Sequence, residues 1–466
     1  MTSTVTHRGP GVPTSEPPDE PRGPRSGFTW LLELPGDAVR SITRSAARTP
    51  GRLSLIATGL IVLSLLTGLV GTLAVQDRAN TIDGLIEHRE PLAAAAQEVY
   101  GSLSDADATA ASAFLSTGAE PPALRERYQL DIAKAGAALA KAASDSGSVA
   151  AAAEQVDILS RQIPVYTGLI ETARANNRQG FPAGAAYLRE ASELMRSTIL
   201  PAAHRLYEID TERLAAEQDD ATGVPWLTAV LVLGLAAALV AAQVYLKRRT
   251  NRVFNVGLLV ATVAVGVAIL WTAAALTVQS VLVSSGRGDG TEQADLLVRA
   301  RIAALQARAN ETLTLVARGG GDAYEKEFGA LFGQFAGRDG QGGLLGQARE
   351  RAAGLPAGPH IESAAGNAET WLRAHEEVRG LEQAGDYQGA VEKAISGRDE
   401  QGAAKAFGRV DGDLTAAITS ARQSFLDDTT NGSRALTLLA PGFAVLAVIA
   451  ALGTTLGIRE RLREYR

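Results

Sequence analysis

Four stretches without a single Asp, Glu, Lys or Arg constrain this 466-residue chain more than anything else in it: Leu53–Val75, Trp226–Leu246, Val253–Val278 and Ala435–Ile458. Each exceeds the roughly 20 residues a helix needs to cross a hydrocarbon core about 30 Å thick. Lipid offers the backbone no hydrogen-bond partner, so all four are expected to be helical. The first is expected to be a retained span, not a cleaved signal peptide. Its apolar run is too long, 52 residues precede it, and Thr72-Leu73-Ala74-Val75-Gln76 makes a poor cleavage site.

The basic residues set the orientation. Arg40, Arg44, Arg48 and Arg52 precede the first block, Lys247-Arg248-Arg249-Thr250-Asn251-Arg252 separates the second from the third, and Arg459, Arg461, Arg463 and Arg466 follow the fourth. All three clusters fall on one side of the membrane, which the positive-inside rule makes the cytoplasm. Residues 77–223 carry 13 basic and 22 acidic side chains, and residues 284–432 carry 16 and 22, so both long loops are acidic and are placed outside. The expected order is a tail (1–52), span 1 (53–75), an extracytoplasmic domain (76–225), span 2 (226–246) and a basic loop (247–252). Span 3 (253–278), a second extracytoplasmic domain (279–434), span 4 (435–458) and a short cytoplasmic tail (459–466) complete it.

Each long loop has room for a domain with its own core. In the first, Ile82, Leu85/Ile86, Arg89, Leu92/Ala93, Ala96, Val99/Tyr100, Leu103, Ala106/Asp107, Ala110 and Ala113/Phe114 recur at three-to-four spacing, a helix continuing out of span 1. Gly118 and Pro121-Pro122 end it. Three further helices run through Leu124–Leu139, Val149–Ile170 and Leu188–Ile209, with turns at Ser144–Ser148 and Asn176–Gly180 and a kink at Pro201. The second loop repeats the plan with helices at Glu292–Arg318, Asp322–Phe335, Ile361–Gln383 and through Phe407–Phe425, interrupted by the Gly-rich Gly337–Gly346. Leu103–Gly118 aligns with Leu305–Gly320 without a gap, which points to an internal duplication. The fold class is therefore an all-α integral membrane protein with four transmembrane helices and two extracytoplasmic antiparallel four-helix bundles. Residues 1–27, rich in Pro, Gly and charge, are expected to be disordered. Phe28–Leu34 is an apolar island, readable as an interfacial anchor, a docking motif or plain tail.

No chemistry of catalysis stands out. Cysteine is absent, which excludes disulfides and thiolate chemistry, and no two of the five histidines lie at metal-ligand spacing on a helix face. The acid pairs Glu376-Glu377, Asp219-Asp220 and Asp427-Asp428 point to different helix faces and read as solvated charge. The runs Gly319–Gly321 and Gly340–Gly343 lack the following Lys-Ser/Thr of a phosphate loop. In and immediately beside the spans only Gln243, Asn255 and Gln279 are amide-bearing, all near the ends, and Pro441-Gly442 is the one obvious kink, which argues against a transporter. Gly59, Gly68, Gly71 and Gly257 allow close helix packing and leave a homodimer open. No enzyme activity and no cofactor are expected. The only candidate contact residues are Lys247, Arg248, Arg249 and Arg252, read first as a topology signal and second as a surface for a cytosolic partner or anionic lipid.

The order of tail, span, bundle, span, basic loop, span, bundle, span and stub resembles that of GlnX-type membrane signalling proteins of actinobacteria. Ser104-Asp-Ala-Asp-Ala-Thr109, Phe114-Leu115 and Ala309-Asn310-Glu311-Thr312 are also similar to the first helix of chemoreceptor-type sensor bundles. The resemblance implies a relay in which a GlnH-like extracytoplasmic lipoprotein binds aspartate or glutamate and this chain passes its state to a cytosolic Ser/Thr kinase of the protein kinase G type. It implies no nucleic-acid partner and carries over no contact residues. A receptor binding a small molecule directly in its bundles, which an inward arginine would favour, and a non-signalling envelope scaffold remain alternatives.

Overall fold

The computed structural model describes residues 49–116, 120–146, 149–223, 226–250, 255–396 and 399–463, and among these no strand occurs. The terminal segments 1–27 and Phe28–Leu34, together with Gly118 and Arg252, lie outside the described residues. Four apolar helices are long enough to cross a membrane. Helix α1 (Thr49–Gly84) passes through a π-helical turn (Leu85–Arg89) into α2 (Glu90–Leu115). Helices α3 (Pro122–Ser146), α4 (Ala150–Arg178), α5 (Ala183–Leu194) and, after a second π turn (Met195–Ile199), α6 (Leu200–Thr222) complete the first bundle. The membrane-length helices α7 (Trp226–Thr250) and α8 (Val256–Ser285) follow, and a third π turn (Gly286–Glu292) joins α8 to α9 (Gln293–Val316). The second bundle adds α10 (Asp322–Ala336), α11 (Gly343–Arg351), α12 (Gly358–Gln383), α13 (Tyr387–Ile395) and α14 (Ala403–Leu436), which leads to the last apolar helix, α15 (Leu439–Arg463).

The π turns have local causes. Pro91 and Pro201 sit at the start of α2 and α6, immediately beyond the first two π turns. A proline ring clashes with the carbonyl four residues back, and widening the preceding turn relieves that clash without breaking the helix. The kink expected at Pro201 is thus a π turn just before it. At Pro441 the same clash breaks the helix one turn earlier, at Thr437–Leu438. The third π turn has glycines instead, and Gly290 packs so closely on the Phe425 backbone that a Cβ would lie 2.8 Å from its Cα. The 202-residue offset that aligns Leu103 with Leu305 carries Leu85–Arg89 onto residues 287–291, inside the third π turn. The two halves therefore share a backbone irregularity as well as a sequence pattern.

In the apolar layer α15 packs against both α1 and α8, and α7 closes the group against the same two helices. Small residues make the crossings. Gly257 abuts Gly453 and Gly457, Gly68 abuts Ala447, Gly71 meets the Phe443 ring, and Gly442 meets the Trp271 ring, whereas Gly59 faces open space. The three amides in the spans act as ties. Gln243 donates to Thr262 Oγ1 (2.6 Å), Asn255 donates to the Gly457 carbonyl (2.7 Å), and Gln279 joins the Ala221 carbonyl (3.1 Å) to the Arg78 guanidinium (2.8 Å).

The two bundles are joined side by side. Their first helices, α2 and α9, pack on each other, so that every residue from Gly101 to Ala113 and from Ala307 to Val316 is buried. The second bundle is larger than its sequence pattern suggests, because α11 and α13 form within what reads as connecting chain. Helix α13 contributes Ala390, Val391 and Ala394 to the core of the first bundle.

Candidate functional site: the polar seam between the bundles

Helices α2 and α9 are buried on all sides yet carry Ser102, Ser104, Asp105, Asp107, Thr109 and Ser112 on one, and Arg308, Asn310, Glu311, Thr312 and Thr314 on the other. Buried charge is tolerable only when paired and hydrogen-bonded, and three networks meet that need.

The first joins four helices from both bundles. Arg127 on α3 donates to both oxygens of Asp105 on α2 (2.8 and 2.9 Å) and to Asp411 on α14 (2.8 Å). Arg301 on α9 donates to the other oxygen of Asp411 (2.7 Å) and stands 3.7 Å from Asp105. Burial opposes the charge on Arg127 and Arg301, but Asp105 and Asp411 outweigh it and raise both guanidinium groups above the usual range. Asp131, one turn along α3 from Arg127, is buried with Oδ2 lacking a hydrogen-bond partner. Burial, reinforced by the charge of Asp105, pushes its carboxyl up to about 7.

The second network lies in the first bundle. Asp107 accepts from Ser192 (2.9 Å) and from the Tyr166 hydroxyl (3.2 Å), tying α2 to α5 and α4. Burial raises its carboxyl despite these donors. The third lies in the second bundle, where Glu311 accepts from Arg308, from Trp371 Nε1 (3.2 Å) and from His375 Nδ1 (3.0 Å). His375 Nε2 faces Glu325 at 3.1 Å, and Phe328 stacks on the imidazole at 3.7 Å. Both ring nitrogens donate to carboxylates only in the imidazolium form. Burial works against that form, but the two glutamates prevail and lift His375 to about 9. Arg196 of the first bundle donates to Asn310 of the second (3.1 Å), so the networks continue across the seam.

Sequence reading put Arg89 and Asp107 in the three-to-four repeat of the first helix; Asp107 is buried, and Arg89, in the π turn, pairs with Glu217 at 2.6 Å. It missed Arg127, Arg301, Arg308, His375 and Asp411. The available signal was a run of small polar residues, Ser102 to Ser112, with no large side chain on any face after Leu103. Such a helix can be buried all round, while an ordinary surface helix carries long charged residues on one side. Of the four basic candidates, Lys247 and Arg248 are exposed near the end of α7, Arg249 follows in the same helix, and Arg252 is outside the described residues. Neither Lys247 nor Arg248 meets the seam.

The arrangement is that of a helical membrane protein whose apolar helices continue into a shared, ion-paired bundle core. Residues 81–219, which make up the first bundle, match the family model of the actinobacterial sensor domain. No curated protein and no solved structure matches the chain. The family match and the four membrane-length helices support an actinobacterial sensor or signalling membrane protein.

Proposed function

We propose that the chain is a transmembrane signal transducer that relays the state of an extracytoplasmic Asp/Glu-binding lipoprotein to a cytosolic Ser/Thr kinase. The observation that carries the transducer reading is helix continuity. Residues Gly51–Leu115 and Val256–Val316 each form one helix from the apolar layer, through a π turn, to the distal end of the seam. A partner that favours one packing of the bundles would bias a two-state equilibrium, and an unbroken helix would carry the shift across the membrane. The basic clusters support the orientation, with Lys247, Arg248, Arg249 and Arg252 offered to the kinase or to anionic lipid. The identity of the lipoprotein, its ligand and the kinase rests on the resemblance alone.

The test inserts flexible glycines between Val75 and Ile82, each costing about 1 kcal/mol of helix stability. Correctly inserted variant protein should lose the change in kinase-substrate phosphorylation that aspartate or glutamate evokes. An unchanged response would refute rigid coupling through α1–α2, and an unchanged response after deletion of the whole gene would refute the relay. Orientation is checked by cysteines placed at Ser146, Gly342 and Thr250. An impermeant thiol reagent should label the first two on intact cells and the third only after permeabilisation.

A further inference from the structure

At the membrane-near end of the seam a cleft is walled by all four helices that connect to the apolar layer. Glu90 and Gln97 come from α2, Tyr207 and Thr211 from α6, Asp295 from α9, and Arg422 from α14. Two of these groups lack the partners expected for their chemistry. Arg422 is the clearer. Arg127, Arg301 and Arg308 in the seam each touch a carboxylate, whereas Arg422 hydrogen-bonds only the neutral amide oxygen of Gln97 and has no ion pair among the described residues. Glu90 is half-buried and near enough for its charge to act on Arg422, yet it forms no ion pair with it. Thr211 Oγ1 is buried beside the Tyr207 hydroxyl, which donates instead to Asp295. Burial also pulls the Arg422 guanidinium below the usual range, and the charges of Glu90 and Glu98 offset only part of that cost.

We propose that this cleft binds a compact α-amino acid as its zwitterion, the carboxylate received by Arg422 and the Thr211 hydroxyl, the ammonium by Glu90. A guanidinium holds a carboxylate with charge-assisted hydrogen bonds, and a facing carboxylate that does not already neutralise it selects for a cation on the same ligand. A plain anion would meet the Glu90 carboxylate with no ammonium to offset it. The cleft has room for roughly three water molecules, which suits a ligand of the size of glycine better than an aromatic one. Because the walls belong to all four membrane-connected helices, occupancy sets their spacing where they leave the bundle. The site therefore gives the chain a direct input, separate from the relay and independent of any lipoprotein or kinase.

The test uses the full chain in nanodiscs, with thermal unfolding and calorimetry as readouts. Glycine and L-alanine should bind saturably and raise the unfolding temperature, while acetate and methylamine, each carrying half of the recognised chemistry, should do so far more weakly. Arg422→Gln and Glu90→Gln should each weaken glycine binding about tenfold or more. Thr211→Val, which keeps the side-chain shape, should weaken it by a smaller factor and serves where the charge variants misfold. Absence of saturable glycine and L-alanine binding at about 10 mM, weaker than most specific sites, would overturn the proposal. So would acetate binding as tightly as glycine, or glycine binding unaffected by all three substitutions. The relay is read by phosphorylation in cells, so failure of either proposal leaves the other standing.

Discussion

The two bundles repeat one plan with different interiors. Both cores are rich in alanine and aliphatic side chains, and the first adds the buried but separate tyrosines Tyr128, Tyr166 and Tyr207, with the Tyr166 hydroxyl serving Asp107. The second is built on Trp371, which meets the rings of Phe328, Phe332 and Phe407 at centroid distances of 5.8, 5.3 and 5.1 Å, beside the paired cage of Glu311, Arg308 and His375. Large interlocking rings and a fully satisfied charge cage resist repacking. A core without such a ring cluster, holding a protonatable and partly unsatisfied acid, Asp131, leaves neighbouring arrangements closer in energy. Within the proposed relay, this contrast makes the second bundle the support and the first, which matches the sensor family, the part that moves. The seam between α2 and α9 makes them one body.

The largest effect should come from the support. Trp371→Ala removes the hub of the aromatic cluster and should cost about 3–5 kcal/mol, seen as a lowered unfolding temperature of the full chain in nanodiscs. Tyr166→Phe in the first bundle keeps the ring and removes one donor to Asp107, so it should cost only about 1 kcal/mol. Equal losses would erase the contrast between the interiors.

At the seam, Asp411→Asn takes a carboxylate from both Arg127 and Arg301 and should cost about 1–3 kcal/mol, with faster hydrogen exchange in α2 and α9. A loss confined to α14 would mean that the ion pairs decorate the seam without holding it.

The pH responses should be smaller and should separate the bundles. His375 is raised from 6.5 to about 9 in the folded chain, so its contribution is complete below pH 6.5 and is lost as pH rises through 9. Asp131 is raised from 3.8 to about 7, so the folded state holds a proton that the unfolded state has released, and stability declines as pH rises from about 4 through 7. His375→Gln should flatten the alkaline decline and Asp131→Asn the acid-to-neutral one. An alkaline decline that persists in the His375 variant would remove the charged cage from the account.

Much of this is legible in the sequence. The absence of charge in four blocks gave the spans, the three-to-four spacing gave the long helices, and the alignment of Leu103 with Leu305 anticipated a duplication that the π turns now share. The ion pairs were not legible, because Asp105 meets Arg301 and Arg127 meets Asp411 across hundreds of residues, and helical periodicity reports only one helix's own faces. The merging of the bundles was hidden for a related reason. A helix of Ala, Ser, Asp and Thr reads as amphipathic with a small polar face, and nothing local says that another bundle covers that face.

That merging is the central claim, and it can be measured on two separate polypeptides, residues 77–223 and 286–434. Mixed at about 100 μM, well above the dissociation constant of a specific interface of ordinary strength, they should form a one-to-one complex in sedimentation, and Asp411→Asn should weaken it. Two helical proteins that remain monomeric when mixed would contradict the seam as the element that makes the bundles one body.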